Sequence, residues 1–558
     1  MNLALSSKNL FNKNEFSGFM GLFVNIVTNF MVMASLMIGI GIPAYLVVGR
    51  MLPAVGLGVA LGNFYWAWFA KRTAKKTGNP EVCALPFGPS VGHMFVVTFV
   101  VANPVMLATG GNYMLAWGVA LAWCFLEGIV EIVVAPFART VRSKMPRAAM
   151  LGNAAGLSLT LIAMAPIAQM WGLPYIGIVG LGIAVLGFLG KKKFPLGMPV
   201  AVWMVIFGVA TGWITGFKSW DNLVTSFAGV GFGMPYPAVG IFWEGLRTLF
   251  GAGGHAIEVA PILISAIPLG IANAIGTLNN LESAAAAGDN YPEREALLSD
   301  GALTIVDVLI GGPFPTTIYI GHPGYKEMGA RTSYSVLTGI AVLIVTWFAL
   351  IPVFMALIPV EAIFAILIFI ALTIGSQAFQ ASPKHHYPAI ILAMMFWLSS
   401  WVVTIIQNSV QAVRIVQGLW PPGPPANPYI LNNLVPQLGS NQIFYPALLA
   451  MSQGHVMTAA TMAMIVIFII DKKLIKAVIV AALQVVLSFF GFIHAGNLGI
   501  NAAQNFSIAY LMMGIVILLV HLYNQKYHPE PKEGDNSLKN MANNMGNSLG
   551  AGPSKQNK

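Results

Sequence analysis

Two stretches rich in glycine and proline interrupt an otherwise apolar chain: ALPFGPSVGHMF at 84–95 and GGPFPTTIYIGHPG at 311–324. Both residue types break helices, and in secondary transporters a matched pair of interrupted segments points to the binding site. The second stretch lies in a polar island that runs from Ile271 to Arg331. Polar side chains at membrane depth are costly unless they face a cavity or each other. The sequence therefore predicts a ligand site in a membrane protein.

The composition supports this reading. Of the 558 residues, 57% are hydrophobic and 9% charged, with a mean hydropathy of +0.75, whereas soluble proteins carry roughly 25% charged residues. The net charge of +10 comes from Lys and Arg in short connectors, which argues against a nucleic-acid partner. Cys83 and Cys124 form neither a metal-ligand pattern nor a disulfide framework. Because nucleotide-binding and hydrolase motifs are also missing, we expect no enzyme activity, no cofactor and no metal.

Segments of about 20 apolar residues indicate membrane spans. About sixteen are predicted, numbered 1 to 16 in chain order: 18–40, 44–70, 84–108, 113–137, 147–170, 173–190, 195–217, 258–286, 298–312, 315–330, 334–357, 360–379, 387–408, 445–470, 474–497 and 503–524.

Every second connector is basic, as the positive-inside rule requires. Lys191, Lys192 and Lys193 follow span 6, and Lys472 and Lys473 follow span 14. The pattern predicts a multi-pass protein of the cytoplasmic (inner) membrane with both termini in the cytoplasm. The long, weakly basic loops 218–257 and 409–444 are then external, and the polar tail 527–558 is expected to be disordered.

The two interrupted segments fall in spans 3 and 10, seven spans apart. A repeat of seven spans enters the membrane upside down relative to the first copy. The predicted fold is an all-α polytopic membrane protein: a seven-plus-seven inverted-repeat transporter with broken helices in spans 3 and 10 and two extra C-terminal spans.

Three stretches resemble the xanthine/uracil permease family of nucleobase-cation symporters, in particular its adenine/guanine/hypoxanthine branch. They are GNFYWAWFAKRTAKKTGNPEVCALPFG at 62–88, LESAAAAGDNYPEREALLSDG at 281–301 and PFPTTIYIGHPGYKEMGARTSYSVLTG at 313–339. The resemblance covers roughly residues 18–400. It implies import of a purine or pyrimidine base coupled to H⁺ or Na⁺, and dimers in the lipid bilayer.

The family fold implies a core domain and a gate domain, with substrate between short strands of spans 3 and 10 and facing span 8. The expected division is as follows: N-terminus 1–17, core 18–137, gate 138–217, external loop 218–257, core 258–357, gate 358–470, extra spans 471–526 and tail 527–558.

In span 8 the residue at the family's acidic position is Asn273. Asn273, Thr277 and Asn280 share one helix face at i, i+4 and i+7, and we expect them to face substrate. An alternative register places Glu282 at the acidic position, although Glu282 lies roughly 13 Å nearer the cytoplasm and suits a gating role. The structural alternative is that these side chains only form contacts between neighbouring helices.

In span 10 the family's second carboxylate is replaced by His322, which can bind a purine edge, carry a proton or simply stabilise a turn. Thr316 and Thr317 in the unwound stretch are further substrate-binding candidates.

Phe87 and Gly88 occupy the matching stretch of span 3, where the aromatic ring can stack on a base or merely pack. Asp300 is a coupling candidate, with capping of span 9 as the structural alternative. For Glu127 and Glu131 in span 4 we favour structural pairing with Arg139 or Arg142, which lie near the same helix end.

Two other functions stay open. A neutral amide and a histidine at the two acidic positions tolerate an anion, so an anion or other small-solute carrier on the same fold is the first alternative. A membrane-embedded sensor that binds its ligand without moving it is the second.

Overall fold

The computed structural model describes residues 13–195, 200–251, 259–416, 435–496 and 498–527. The predicted N-terminal segment 1–17 and tail 527–558 lie largely outside this part of the chain, as do portions of both predicted external loops.

The first seven predicted spans correspond to helices and one strand. Their bounds are Lys13–Gly39 (span 1), Ala44–Thr77 (span 2), strand β1 at Phe87–Pro89 with helical residues 91–108 (span 3), Tyr113–Val134 (span 4), Arg147–Gly172 (span 5), Pro174–Leu189 (span 6) and Val200–Ile214 (span 7). Two short helices follow in the loop before span 8, Trp220–Phe227 and Val239–Leu249.

The second seven spans and the two extra ones have the following bounds: Val259–Ala286 (span 8), Glu293–Leu309 (span 9), strand β2 at Thr316–Ile318 with helix His322–Glu327 (span 10), Ser333–Trp347 with Ile351–Leu357 (span 11), Val360–Gln380 (span 12), Tyr387–Val416 (span 13), Tyr445–Ser452 with His455–Ile470 (span 14), Leu474–Phe489 (span 15) and Gln504–Tyr527 (span 16).

In the described part of the chain, seven helices are long and apolar enough to cross a membrane. The number rises to nine when each of two bent pairs, in spans 11 and 14, is counted as one crossing. Spans 6, 7 and 15 are shorter apolar helices, and spans 3 and 10 are interrupted. The multi-pass prediction is confirmed, although by length and composition fewer helices qualify than the sixteen predicted.

The unwinding of span 10 follows from its sequence. Gly311 has φ +102°, a region in which side chains are strained. Pro313 and Pro315 have no N–H to continue a helix. The chain therefore leaves span 9 extended and forms β2.

Strands β1 and β2 pair antiparallel, with Gly88 opposite Thr317. The ladder continues beyond the strands, since Tyr319 N–H donates to the Pro86 carbonyl (2.7 Å) and Ser90 N–H donates to the Pro315 carbonyl (2.7 Å). Unpaired backbone groups are costly away from water. Each broken segment thus satisfies the backbone groups that the other exposes.

Helix packing repeats with a shift of seven spans. Span 1 packs on span 11 as span 8 packs on span 4, and span 2 packs on span 11 as span 9 packs on span 4. In the same way, span 5 packs on span 13 as span 12 packs on span 6. This correspondence, together with the antiparallel strand pair, is the inverted repeat that the sequence predicts.

The contacts also divide the helices into two sets. Spans 1, 2, 4, 8, 9 and 11 pack around the strand pair, and spans 5, 6, 7, 12, 13 and 14 pack mainly on one another. Spans 15 and 16 pack on each other, and span 15 also lies against span 14. The strand pair is therefore held within the first set, where the candidate site lies.

Candidate functional site

The three predicted polar residues of span 8 each contact a different partner. Asn273 Nδ2 donates to Glu131 Oε1 (2.6 Å), and Asn280 Nδ2 donates to the Ile318 carbonyl of β2 (2.7 Å). Thr277 Oγ1 donates to Asp300 Oδ2 (2.7 Å). All three are buried. The shared face that the sequence predicts is thus directed at span 4, span 9 and β2.

Asp300 joins span 9 to the strand pair. Its Oδ2 accepts hydrogen bonds from Thr277 Oγ1 (2.7 Å), Thr317 Oγ1 (3.3 Å) and the Ile318 N–H (3.4 Å). Its Oδ1 has no hydrogen-bond partner within the described residues. Span 9 begins at Glu293, five residues before the predicted start at 298, so Asp300 lies within the helix and does not cap it.

The two predicted threonines of β2 have different surroundings. Thr317 faces Thr277 (Oγ1–Oγ1 3.3 Å) as well as Asp300. Thr316 turns to span 9, where its N–H donates to Thr304 Oγ1 (3.1 Å). Thr317 therefore belongs with the polar face of span 8, and Thr316 with the support of the strand.

Phe87 and Gly88 of β1 are held tightly. The Phe87 carbonyl accepts from Asn63 Nδ2 (2.9 Å), and its ring is fully buried. A Cβ on Gly88 would lie 2.5 Å from the ring of Tyr319, whose hydroxyl donates to the Pro89 carbonyl (2.7 Å). In this conformation the Phe87 ring packs within the protein, and Gly88 is required by the close approach of Tyr319.

Spans 4 and 9 cross with their backbones in contact, because a Cβ on Gly301 would lie 2.5 Å from the Gly128 carbonyl oxygen. Four buried carboxyl groups flank this crossing, and we call them the carboxylate layer: Glu127 and Glu131 of span 4, and Asp300 and Asp307 of span 9.

The carboxylate layer lacks basic partners among the residues that the structure describes, apart from His93. His93 Nε2 lies 3.3 Å from Glu127 Oε1, and its Nδ1 shares a hydrogen bond with Ser90 Oγ (2.6 Å). One oxygen of Glu131 and both oxygens of Asp307 accept no hydrogen bond. Burying an unpaired charge is costly enough that such groups take up protons instead.

The acids on the side of the basic connectors are paired quite differently. Glu282 accepts from Arg142 Nε (2.9 Å) and Nη2 (2.7 Å), and its other oxygen accepts from Arg147 Nε (2.5 Å). Arg142 Nη1 also donates to Glu293 (2.7 Å). Arg142 therefore binds Glu282 and Glu293. Among the described residues neither Arg142 nor Arg139 forms an ion pair with Glu127 or Glu131, so that expectation was wrong.

His322 is turned toward the connector between spans 8 and 9. Its Nε2 lies 3.0 Å from Asp289 Oδ2 and 3.2 Å from the Cys83 carbonyl, and Lys326 Nζ donates to Asp289 Oδ1 (2.6 Å). Burial alone would raise the pKa of the Asp289 carboxyl, but the hydrogen bond and charge of His322, with hydrogen bonds from the Cys83 N–H and Lys326, hold this pKa below its ordinary value. We call these residues the Asp289 cluster.

The structure thus brings Asn273, Thr277, Asn280, Thr317 and Asp300 together. It places Glu282 and His322 in ion-pair clusters at the ends of the spans, and neither placement tests a role in transport. Sequence reasoning gave little weight to Glu131 and His93. The signal for Glu131 was its spacing of four residues from Glu127 in a span as apolar as 113–137.

Chemically, the arrangement contains both hydrogen-bond donors and hydrogen-bond acceptors. Asn273, Thr277 and Thr317 supply an amide and two hydroxyls. Asp300 Oδ1 and Glu131 Oε2 supply acceptors that have no partner in the described part of the chain. Each of those two oxygens can also receive a proton.

No protein-family model matches the sequence, and no curated protein matches it. Among solved structures, the transmembrane domain of a cyanobacterium bicarbonate transporter, BicA, aligns with 16% identity and a TM-score of 0.39 over 72% of this chain and 98% of its own. SLC26A9 aligns with 12% identity and a TM-score of 0.35 over 70% of this chain and 61% of its own. Because these scores are low, the fold assignment rests on the packing of this chain's own helices.

Proposed function

We propose that this protein is a secondary active transporter that imports a nucleobase such as xanthine, hypoxanthine, guanine, adenine or uracil by alternating access, coupled to H⁺ or Na⁺. The observation that carries the proposal is the Asp300 carboxyl, held between span 8 and β2 with one oxygen unpartnered. A ligand N–H can bind that oxygen, and a proton can neutralise it.

The two sets of helices support the alternating-access part of the proposal. Residues 18–137 and 258–357 form the core domain that holds the site, and residues 138–217 and 358–470 form the gate that moves against it. The protein lies in the inner membrane with both termini in the cytoplasm. It forms a homodimer.

The charge of the site decides between a base and an anion. Asn273 and Thr277 are neutral, but their side chains donate to Glu131 and Asp300, so ligand at this face meets carboxyl groups. In its ionised form a carboxyl group repels an anion, and in either form its oxygens accept hydrogen bonds from the ring N–H groups of a base. The geometry therefore favours a neutral, hydrogen-bonding solute over an anion, and unpartnered carboxyl oxygens favour H⁺ as the coupling ion.

The test is uptake of radiolabelled xanthine, hypoxanthine, guanine, adenine and uracil into proteoliposomes, with bicarbonate and sulfate in parallel. A pH gradient or a Na⁺ gradient is imposed in turn. We compare the wild type with Asn273→Ala and Asp300→Asn, and with Asp221→Asn as the matched control, because Asp221 is exposed in the loop before span 8.

We expect saturable uptake of one base, driven by the pH gradient. It should fall by about 100-fold in Asp300→Asn, which is about 2.7 kcal/mol of lost transition-state stabilisation, and stay unchanged in Asp221→Asn. Accumulation of an anion without accumulation of any base would rule out the nucleobase assignment. Saturable binding without uptake would show a sensor.

A further inference from the structure

Two adjacent histidines and an aspartate meet on the side of the basic connectors, away from the strand pair. His385 and His386 lie in the turn Lys384–His386 between spans 12 and 13, and Asp471 ends the helix of span 14. His386 Nε2 lies 2.7 Å from Asp471 Oδ1, and His385 Nε2 lies 3.7 Å from the same oxygen. Two imidazole nitrogens and a carboxylate oxygen thus converge on one point.

These separations suit a metal ion. Zinc binds histidine nitrogen and carboxylate oxygen at about 2.0–2.2 Å in a tetrahedron, which sets neighbouring ligand atoms about 3.4 Å apart. The separations of 2.7 Å and 3.7 Å bracket that distance, and all three ligand atoms lie within 4.8 Å of one another.

The backbone positions of the ligands are fixed. The His386 N–H donates to the Pro383 carbonyl (2.9 Å), and the Asp471 N–H donates to the Ile467 carbonyl (2.8 Å). Lys473 Nζ binds the other oxygen of Asp471 (2.9 Å), so it orients the carboxylate as outer partners of metal ligands do and leaves Oδ1 to the histidines.

Access to the point of convergence is open on one side. The His385 side chain is 61% exposed, whereas that of His386 is 10% exposed. Three protein ligands with one open side leave a coordination position for water. Imidazole with carboxylate suits zinc and its neighbours in the first transition row.

We propose that His385, His386 and Asp471 form a binding site for a divalent transition-metal ion such as Zn²⁺. The ion joins the connector between spans 12 and 13 to the connector between spans 14 and 15. It thereby fastens span 13 to span 14, which already pack together, and stabilises the folded protein by mass action.

The test uses full-length protein purified in detergent through an affinity tag that contains no histidine and then stripped with a chelator. Zinc binding is measured by competition with a chromophoric chelator, together with the Tm with and without zinc. Co²⁺ then reports the geometry, because a tetrahedral site gives intense visible absorption. The variants are His385→Ala, His386→Ala and Asp471→Asn, with His521→Ala as the control outside the cluster.

We expect one zinc per chain at micromolar or lower concentration and a rise in Tm on adding it. Both should be lost in His386→Ala and Asp471→Asn and kept in His521→Ala. Because His385 is mostly exposed, the His385→Ala variant should fold normally. Its affinity for zinc should nevertheless be at least tenfold lower than that of the wild type. Unchanged affinity in His385→Ala and His386→Ala, or no zinc-dependent change in the Tm of the wild type, would overturn the proposal and leave only a His–Asp ion pair.

Discussion

The carboxylate layer and the acids near the basic connectors differ in their partners. Glu282 is held by two arginines and Asp289 by a lysine and a histidine, while Asp307 and Glu131 each have at least one oxygen that accepts no hydrogen bond from the described residues. Both sets are buried. The difference separates acids whose charge stabilises the fold from acids that can bind a proton. An ion-paired acid resists protonation, whereas burial without a partner favours the protonated form.

The two regions would not differ in function if removing a charge had the same effect on stability and uptake in both. The largest effect is expected for Glu282→Gln, which leaves Arg142 and Arg147 without their shared carboxylate. Removing one partner of a fully buried ion pair typically costs about 3–5 kcal/mol, and we expect a cost below that range here because the Arg147 side chain is half-exposed. Thermal unfolding of the purified protein should show a clear fall in Tm. A variant as stable as the wild type would mean that these ion pairs are dispensable.

Glu131→Gln tests the carboxylate layer in the same way. The substitution removes a titratable group but keeps the size of the side chain and an oxygen that can accept from Asn273. We expect an unchanged or raised Tm, while uptake driven by a pH gradient falls at least about tenfold, equivalent to about 1.4 kcal/mol. Loss of stability with normal pH-driven uptake would place Glu131 with the structural acids.

The Asp289 cluster should make stability depend on pH. Because the pKa of Asp289 is lowered in the folded protein, its contribution is complete above the ordinary value of about 3.9. That contribution disappears as the pH falls through the lowered pKa. Between pH 6 and pH 3 the Tm of Asp289→Asn should therefore fall less than that of the wild type. Parallel curves for the two proteins would contradict the assignment.

The smallest effect is expected for Tyr291→Phe, beside the same cluster. The Tyr291 hydroxyl donates to the Cys83 carbonyl (2.6 Å, buried), and one such hydrogen bond contributes about 0.5–1.5 kcal/mol. A fall in Tm smaller than that of Glu282→Gln, with uptake unaffected, is the expected result. A larger loss of uptake than of stability would instead connect this ring to transport.

Much of the fold could be predicted because it depends on local patterns. Gly and Pro in 84–95 and 311–324 predicted both unwound segments, and the i, i+4, i+7 spacing predicted the common face of Asn273, Thr277 and Asn280. The depth estimate for Glu282 agrees with its place among the arginines.

The partners could not be predicted in the same way, because they depend on which helices cross. Glu131 reaches Asn273 because span 8 packs closely on span 4, where a Cβ on Gly270 would lie 2.9 Å from Val130 Cβ. Span 9 also begins a full turn earlier than its hydropathy suggests, since Glu293 and Glu295 in its first turn are polar yet favour a helix N-terminus. The partner of Glu131 and the start of span 9 were both missed in a polar part of the chain, where the apolar pattern is interrupted.

The pairing of β1 with β2 also has a consequence for biosynthesis. The Pro89 carbonyl of β1 and the Tyr319 hydroxyl that donates to it, next to β2, are 230 residues apart in the chain. At a synthesis rate of about 5–20 residues per second, the first broken segment waits roughly 10 to 50 s for the second. During that interval the backbone groups of β1 have no strand partner in an environment that penalises them. We therefore expect the first half of the chain to depend on the insertion machinery until residue 319 has entered the membrane.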